Sequence, residues 1–243
     1  MKKLLMILIA ALTVVYAAGC DEKPVINKSG DTVSEISESA VPERNYLVLV
    51  NRTHKLPDNY EKSVEIVDGK NFFGGAFRIE KETYEHFQKL REKMMMQELQ
   101  IEINRAYLSA DEQKDLIEEY TREYGENYAY NYQGEPNYSE NQTGLGIDLA
   151  LFFAGEKIDK DAELMKMDGI FREIYSVMAD YGFILRYPQD KEYVTGYDYE
   201  PWHYRYVGIE AAEEIMSRGI CLEEYLGVID DSESFLPLDT DEW

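Results

Sequence analysis

Apolar positions along the chain change period several times, and each change marks an element. Glu80 to Gln97 carries Tyr84, Phe87, Leu90, Met94 and Met95 at helical spacing, which predicts an amphipathic helix with those five side chains on its inner face. Gln100 to Tyr107 alternates through Ile101 and Ile103 and reads as a strand. Ser109-Ala110-Asp111-Glu112 then supplies a capping-type start for a helix from about Asp111 to Tyr124. Gly144 to Phe153 is almost continuously apolar, the pattern of a strand covered on both faces. Met167 to Tyr181 places Ile170, Ile174, Val177 and Met178 inward on a helix that Gly182 ends. Phe183 to Tyr187 and Trp202 to Val207 read as strands, and Ile209 to Arg218 as a last helix closed by Gly219. Near the start, Tyr46 to Val50 and Val64 to Val67 are short strand candidates, the second ended by Asp68-Gly69. Gly125 to Tyr138, rich in tyrosine and asparagine, is expected to be a loop, either packed or lining a groove.

Strands and helices mix without a regular β-α-β rhythm. The fold class expected is therefore α+β, a small antiparallel sheet flanked by helices in a single domain over residues 46–229. The ends are different. Residues 1–19 have a lysine start, an apolar run and small residues before Cys20, the pattern of a bacterial lipoprotein signal with cleavage before Cys20 and lipidation of its thiol. Residues 20–45 are polar and read as a flexible linker, and residues 230–243 as an acidic surface tail. The expected location is outside the cytoplasmic membrane, held by acyl chains alone. Cys221 is the second and last cysteine, so an internal disulfide is not expected and the core must stabilise the domain. The formal charge is −23, which disfavours nucleic acid as a partner.

Three residue types that a hydrolytic zinc site needs occur in two stretches. Asp148 lies in Gly144-Leu-Gly-Ile-Asp148, where the glycines allow close approach of the backbone, and Glu200 and His203 lie three apart in Glu200-Pro-Trp-His203. Such a site holds the metal with three protein ligands and leaves a position to water, whose proton a nearby carboxylate takes. On a turned segment one of Glu200 and His203 can serve as base while the other holds metal.

The surrounding stretches carry more. Ser139-Glu-Asn-Gln-Thr-Gly-Leu-Gly-Ile-Asp148, Tyr181-Gly-Phe-Ile-Leu-Arg-Tyr-Pro188 and Gly196-Tyr-Asp-Tyr-Glu-Pro-Trp-His-Tyr-Arg-Tyr-Val-Gly208 closely resemble the zinc D-Ala-D-Ala carboxypeptidases of the VanY type, within the D-alanyl peptidase and Hedgehog-like fold. The resemblance implies Asp148 and His203 as zinc ligands, Glu200 as catalytic base, and Ser109, Gln113 and Ser139 as parts of the substrate site. It also exposes two departures. Asn141 stands where the family has a His ligand, and Leu108 where it has an Arg for the substrate's terminal carboxylate. An asparagine offers zinc a neutral oxygen in exchange for an imidazole, and a leucine cannot make a bidentate charged contact. Arg105, three residues before Leu108 on a strand, should face the opposite side from it. His54 and His86 match no ligand position. Zinc is thus the implied cofactor, with a weakened site, and peptidoglycan stem peptides are the implied partners. Three readings stay open: a wall-directed lipoprotein that has lost most zinc hydrolysis, an active zinc peptidase, and a scaffold without a wall role.

Overall fold

The computed structural model describes residues 45–228. The signal segment, Cys20, the spacer up to Arg44 and the tail from Asp230 lie outside the described residues. The elements are β1 (Ile66–Lys70), β2 (Ala76–Glu80), α1 (Lys81–Met96), β3 (Gln100–Arg105), α2 (Ala110–Tyr124), α3 (Glu126–Tyr132), β4 (Gly146–Phe153), β5 (Glu156–Ile158), α4 (Asp161–Leu164), α5 (Asp168–Tyr175), β6 (Phe183–Leu185), α6 (Glu192–Thr195), β7 (His203–Tyr206), α7 (Ile209–Arg218) and α8 (Leu222–Leu226). The main sheet has the order β3-β4-β7-β6, with β5 also on β4, and every pairing in it is antiparallel. The strands β1 and β2 form a separate hairpin. This is the α+β class with an antiparallel sheet.

Because successive strand side chains point to opposite faces, β4 divides its residues cleanly. Ile147, Leu149 and Leu151 enter the main core with Phe87, Leu90 and Met94 of α1 and Ile101 and Ile103 of β3. Tyr204 and Tyr206 of β7 join that same core. Asp148 and, on β7, His203 and Arg205 are thereby left for the other face. Both faces of β4 are buried as far as Leu151, which explains its continuous apolar run. A second cluster, Ile184 with Val207, Ala211, Ala212, Ile215 and Leu222, seats α7 and α8.

Several local expectations need correction. Tyr46 to Val50 is not a strand: Val48 and Val50 are buried, but the carbonyls of Tyr46 and Val48 accept from Arg205 Nη2 and that of Val50 from Arg186 Nη2, so side chains take the place of a neighbouring strand. Asp68-Gly69 does not end β1, which runs on to Lys70. Met95 is 58% exposed, because the inner stripe of α1 narrows to Phe87, Leu90 and Met94. The helix expected over Met167 to Tyr181 is broken into α5 and a 3-10 turn at Met178–Tyr181. Within the expected loop lies α3, where Tyr128 and Tyr132, four apart, stack with ring centroids 4.4 Å apart. By contrast α2 starts at a full Ser109–Glu112 capping box, and α7 has the expected bounds.

Candidate functional site

Register brings the site together. Asp148 on β4 lies directly opposite His203 on β7 and opposite Arg105 on β3. The second pairing depends on a bulge: Ile103 faces Leu149, yet Arg105 faces Asp148, so Asn104 is the extra residue. Without it Arg105 would alternate away from Asp148. Instead its Nε lies 2.9 Å from Asp148 Oδ2, while Asp148 Oδ1 is 2.6 Å from His203 Nδ1. Arg105 thus enters the site, and strand alternation does not extend from it to Leu108, which lies beyond the strand's end. Arg105 Nη2 also donates to Tyr120 Oη at 3.1 Å, and Tyr120 in turn donates to Asp161 Oδ2 at 3.0 Å.

Electrostatics follow from that packing. Burial pushes the Asp148 carboxyl up, but Arg105 and His203 outweigh it and hold the carboxyl below the usual carboxylate range. The anionic oxygen therefore accepts a proton-bearing Nδ1 of His203. Glu200 goes the other way: burial, then the charges of Asp148 and Asp161, raise its carboxyl far above the ordinary value. Its Oε1 is buried with no hydrogen-bond partner. His203 Nε2 is likewise buried and unpartnered, and it packs against Gly146, where an added Cβ would sit 3.3 Å from it. Tyr187 stacks on the other side of the imidazole with centroids 5.0 Å apart.

The first motif reaches the site through a 3-10 turn, Glu140–Thr143, capped by Ser139. Asn141 is buried there, and its Nδ2 donates to Gln113 Oε1 at 3.0 Å. Gln113 is itself fixed to the Gly134 carbonyl at 2.8 Å. Asn141, Ser139, Asp148, Glu200, His203, Tyr132 and Tyr187 all border one small cleft. Gln113 thus sits behind Asn141. Ser109 serves as the cap of α2, its hydroxyl 2.7 Å from Glu112 Oε2. Leu108 is joined to the cleft by its backbone, whose N–H donates to the Asn141 carbonyl at 3.1 Å. His54 and His86 are engaged elsewhere, with Asn51 and the Tyr181 carbonyl respectively.

The sequence reading missed the group that fixes this turn. Glu140 is buried between Arg186 (2.8 Å) and Arg205 (2.5 Å), and Arg186 continues to Glu223 of α8 at 2.7 Å. The signal for it was visible: two arginines embedded in apolar strand sequence, Ile184-Leu185-Arg186-Tyr187 and Tyr204-Arg205-Tyr206, must have buried acidic partners.

The profile of the VanY family, D-alanyl-D-alanine carboxypeptidase, matches residues 76–209, which takes in the whole cleft. The chain belongs to that family. A relative, the bifunctional D-Ala-D-Ala dipeptidase and D-Ala-D-Ala carboxypeptidase VanXYC of Enterococcus gallinarum, is 33% identical over 74% of this chain and 93% of its own. Among solved structures, a mutant of the vancomycin-resistance D,D-pentapeptidase VanY in complex with Zn(II) aligns with TM-score 0.64 at 30% identity, over 76% of this chain and 99% of that one. The LdcB LD-carboxypeptidase, whose structure concerns peptidoglycan recognition, aligns with TM-score 0.64 at 33% identity, over 77% and 88%.

Against that VanY-family background the metal donors can be tested. One atom each from Asp148, Glu200 and His203 falls within 4.8 Å of the others, so the triad could surround an ion. The chemistry of the donors argues against it. Asp148 Oδ2 is taken by Arg105 and Oδ1 lies against His203 Nδ1, while His203 Nε2 faces Gly146 without a hydrogen-bond partner. Glu200 Oε1 and His203 Nε2 are the triad's buried atoms without a hydrogen-bond partner. As arranged, these residues do not fit the three-ligand zinc centre that the family motif describes.

Proposed function

We propose that this chain is a wall-directed member of the VanY family that binds peptidoglycan stem peptides in the Asp148–Glu200–His203 cleft with little or no zinc-dependent hydrolysis. One observation carries the reading: Asp148 is tied on both oxygens by protein cations and donors, with an amide, Asn141, at the family's His position. The two substitutions act in the same direction. Asn141 removes an imidazole from the ligand set, and Leu108 removes the positive charge expected at a terminal carboxylate, so both the metal and the anchoring of a free C-terminus are weakened.

What remains is suited to recognition. The unpartnered Glu200 Oε1 offers a hydrogen bond to a peptide carbonyl or carboxyl, and Tyr132 and Tyr187 line the cleft beside it. The family, and an LD-carboxypeptidase neighbour studied for peptidoglycan recognition, make wall peptides the natural ligand class. Lipid attachment at Cys20 belongs to the same proposal, since it would hold the cleft at the membrane's outer side.

Three measurements on the purified chain test it: zinc content, D-Ala release from a muropeptide, and muropeptide binding by calorimetry. Substoichiometric zinc, negligible release and measurable binding are expected. The competing reading, an active zinc peptidase, draws on the proximity of the triad; stoichiometric zinc with D-Ala release would establish it instead. Mass spectrometry of the membrane fraction should find a diacylated N-terminal Cys20.

A further inference from the structure

We propose that Arg105 is the resident cation of this site: its guanidinium holds Asp148 in place as a divalent ion otherwise would, and by doing so excludes the ion. The inference deepens the reading of the same cleft given above, but it turns on residues that neither the family match nor the motifs assign.

Three observations lead to it. The first is register. The bulge at Asn104 places Arg105, Asp148 and His203 side by side on three adjacent strands, so the guanidinium and the imidazole grip the carboxylate from opposite sides. The second is that the grip is built. Arg105 is held at its far end by Tyr120, which is itself anchored to Asp161, and Tyr128 also donates to Asp161 at 3.3 Å. A guanidinium fixed at both ends does not swing aside at little cost, as an exposed one would. The third is charge. Buried Asp148 and Asp161 flank Arg105, the first paired with its guanidinium at 2.9 Å and the second joined to it through Tyr120. An uncompensated buried carboxylate is strongly unfavourable, so some cation must stand beside Asp148 for the fold to close. In a zinc enzyme that cation is the metal. Here the chain carries its own, and a dication entering beside a fixed guanidinium would meet like-charge repulsion and find one carboxylate oxygen, Oδ2, already paired.

The proposal also accounts for how a ligand imidazole could be replaced by Asn141 without collapse of the site. With Arg105 as counter-ion, the geometry of Asp148 and His203 no longer depends on a metal shell.

The test uses the full chain, stripped of metal, with Arg105→Gln and Arg105→Lys beside wild type. Zinc affinity is read by competition with a chromophoric chelator, and melting temperature with zinc or with EDTA. Wild type is expected to bind zinc weakly and to melt at the same temperature in both. Arg105→Gln should melt lower in EDTA, be raised by zinc, and bind zinc about tenfold or more tighter than wild type. Arg105→Lys, which keeps the charge, should stay close to wild type in zinc affinity. The proposal is overturned if wild type takes up stoichiometric zinc, or if zinc neither binds Arg105→Gln more tightly nor stabilises it; a variant that fails to fold even with zinc counts as that second result. Muropeptide binding by wild type in EDTA is measured separately. Its absence would sink the recognition function and leave the role of Arg105 standing, whereas the zinc results judge Arg105 alone.

Discussion

Arg105 places a cation against Asp148, and Asn141 stands in the same cleft where the family motif has an imidazole. Their effects should therefore be coupled. Restoring the family residues with Asn141→His and Leu108→Arg is expected to give little zinc binding while Arg105 still holds Asp148 Oδ2, and substantial zinc binding once Arg105→Gln is added. A double variant that already binds zinc as tightly as the triple would show that Arg105 is no obstacle; chelator competition on both proteins settles the matter. Gly146 makes a third residue-scale case. A methyl group there would press on His203 Nε2 from 3.3 Å, tight enough that the ring must shift by a few tenths of an ångström. Gly146→Ala should weaken muropeptide binding several-fold while leaving the melting temperature within a few degrees, a split readable by calorimetry and thermal melts.

At the scale of elements, the 3-10 turn that carries Asn141 is short and could not hold its shape alone. It is positioned by ion pairs that reach across the molecule. Glu140 ties the turn to β7 through Arg205 and to the segment after β6 through Arg186, and Arg186 ties both to α8 through Glu223. All four side chains are buried, so removal of one partner strands a charge. Glu223→Ala should cost about 3–5 kcal/mol in denaturant-induced unfolding, well beyond an ordinary surface acid. A loss under about 1 kcal/mol would mean that α8 does not brace the site. Gly144 adds a steric requirement at the end of the same turn: its φ is +72° and an added Cβ would lie 2.7 Å from Ile66 Cδ1.

For the whole molecule, the buried network sets a pH dependence. Burial pushes the Glu140 carboxyl up, but Arg205 and Arg186 outweigh it and hold the carboxyl below its ordinary value of 4.5. A carboxylate depressed in the folded state contributes its stability above the unfolded-state value, and that contribution is lost as pH falls through the folded-state value. Unfolding free energy is expected to decline below pH 4.5 in wild type and to decline less steeply in Glu140→Gln, which starts lower but has no such proton to gain. Equal slopes in acid titrations of the two proteins would remove Glu140 from the account. Cys221, with its thiol pushed up to about 12 by burial, adds no titration near neutrality.

How much of this was legible beforehand follows from which forces are local. Helix periodicity, the Ser109–Glu112 cap and the apolar run of β4 are properties of neighbouring residues, so α1, α2, β4 and α7 could be read directly, as could Asp148, Glu200 and His203 with the Asn141 and Leu108 departures. Short extended stretches were less legible. Tyr46 to Val50 has strand-like residues, yet its carbonyls are claimed by arginines more than one hundred and thirty residues away. The direction of Arg105 hung on one unpaired residue, and alternation has no memory of a bulge. Sequence alone thus determined which side chains stand at the family's positions, Asn141 and Leu108 among them. Only the tertiary structure decided that a guanidinium meets Asp148, because that pairing is made by strand register, and register is set by how three distant segments align.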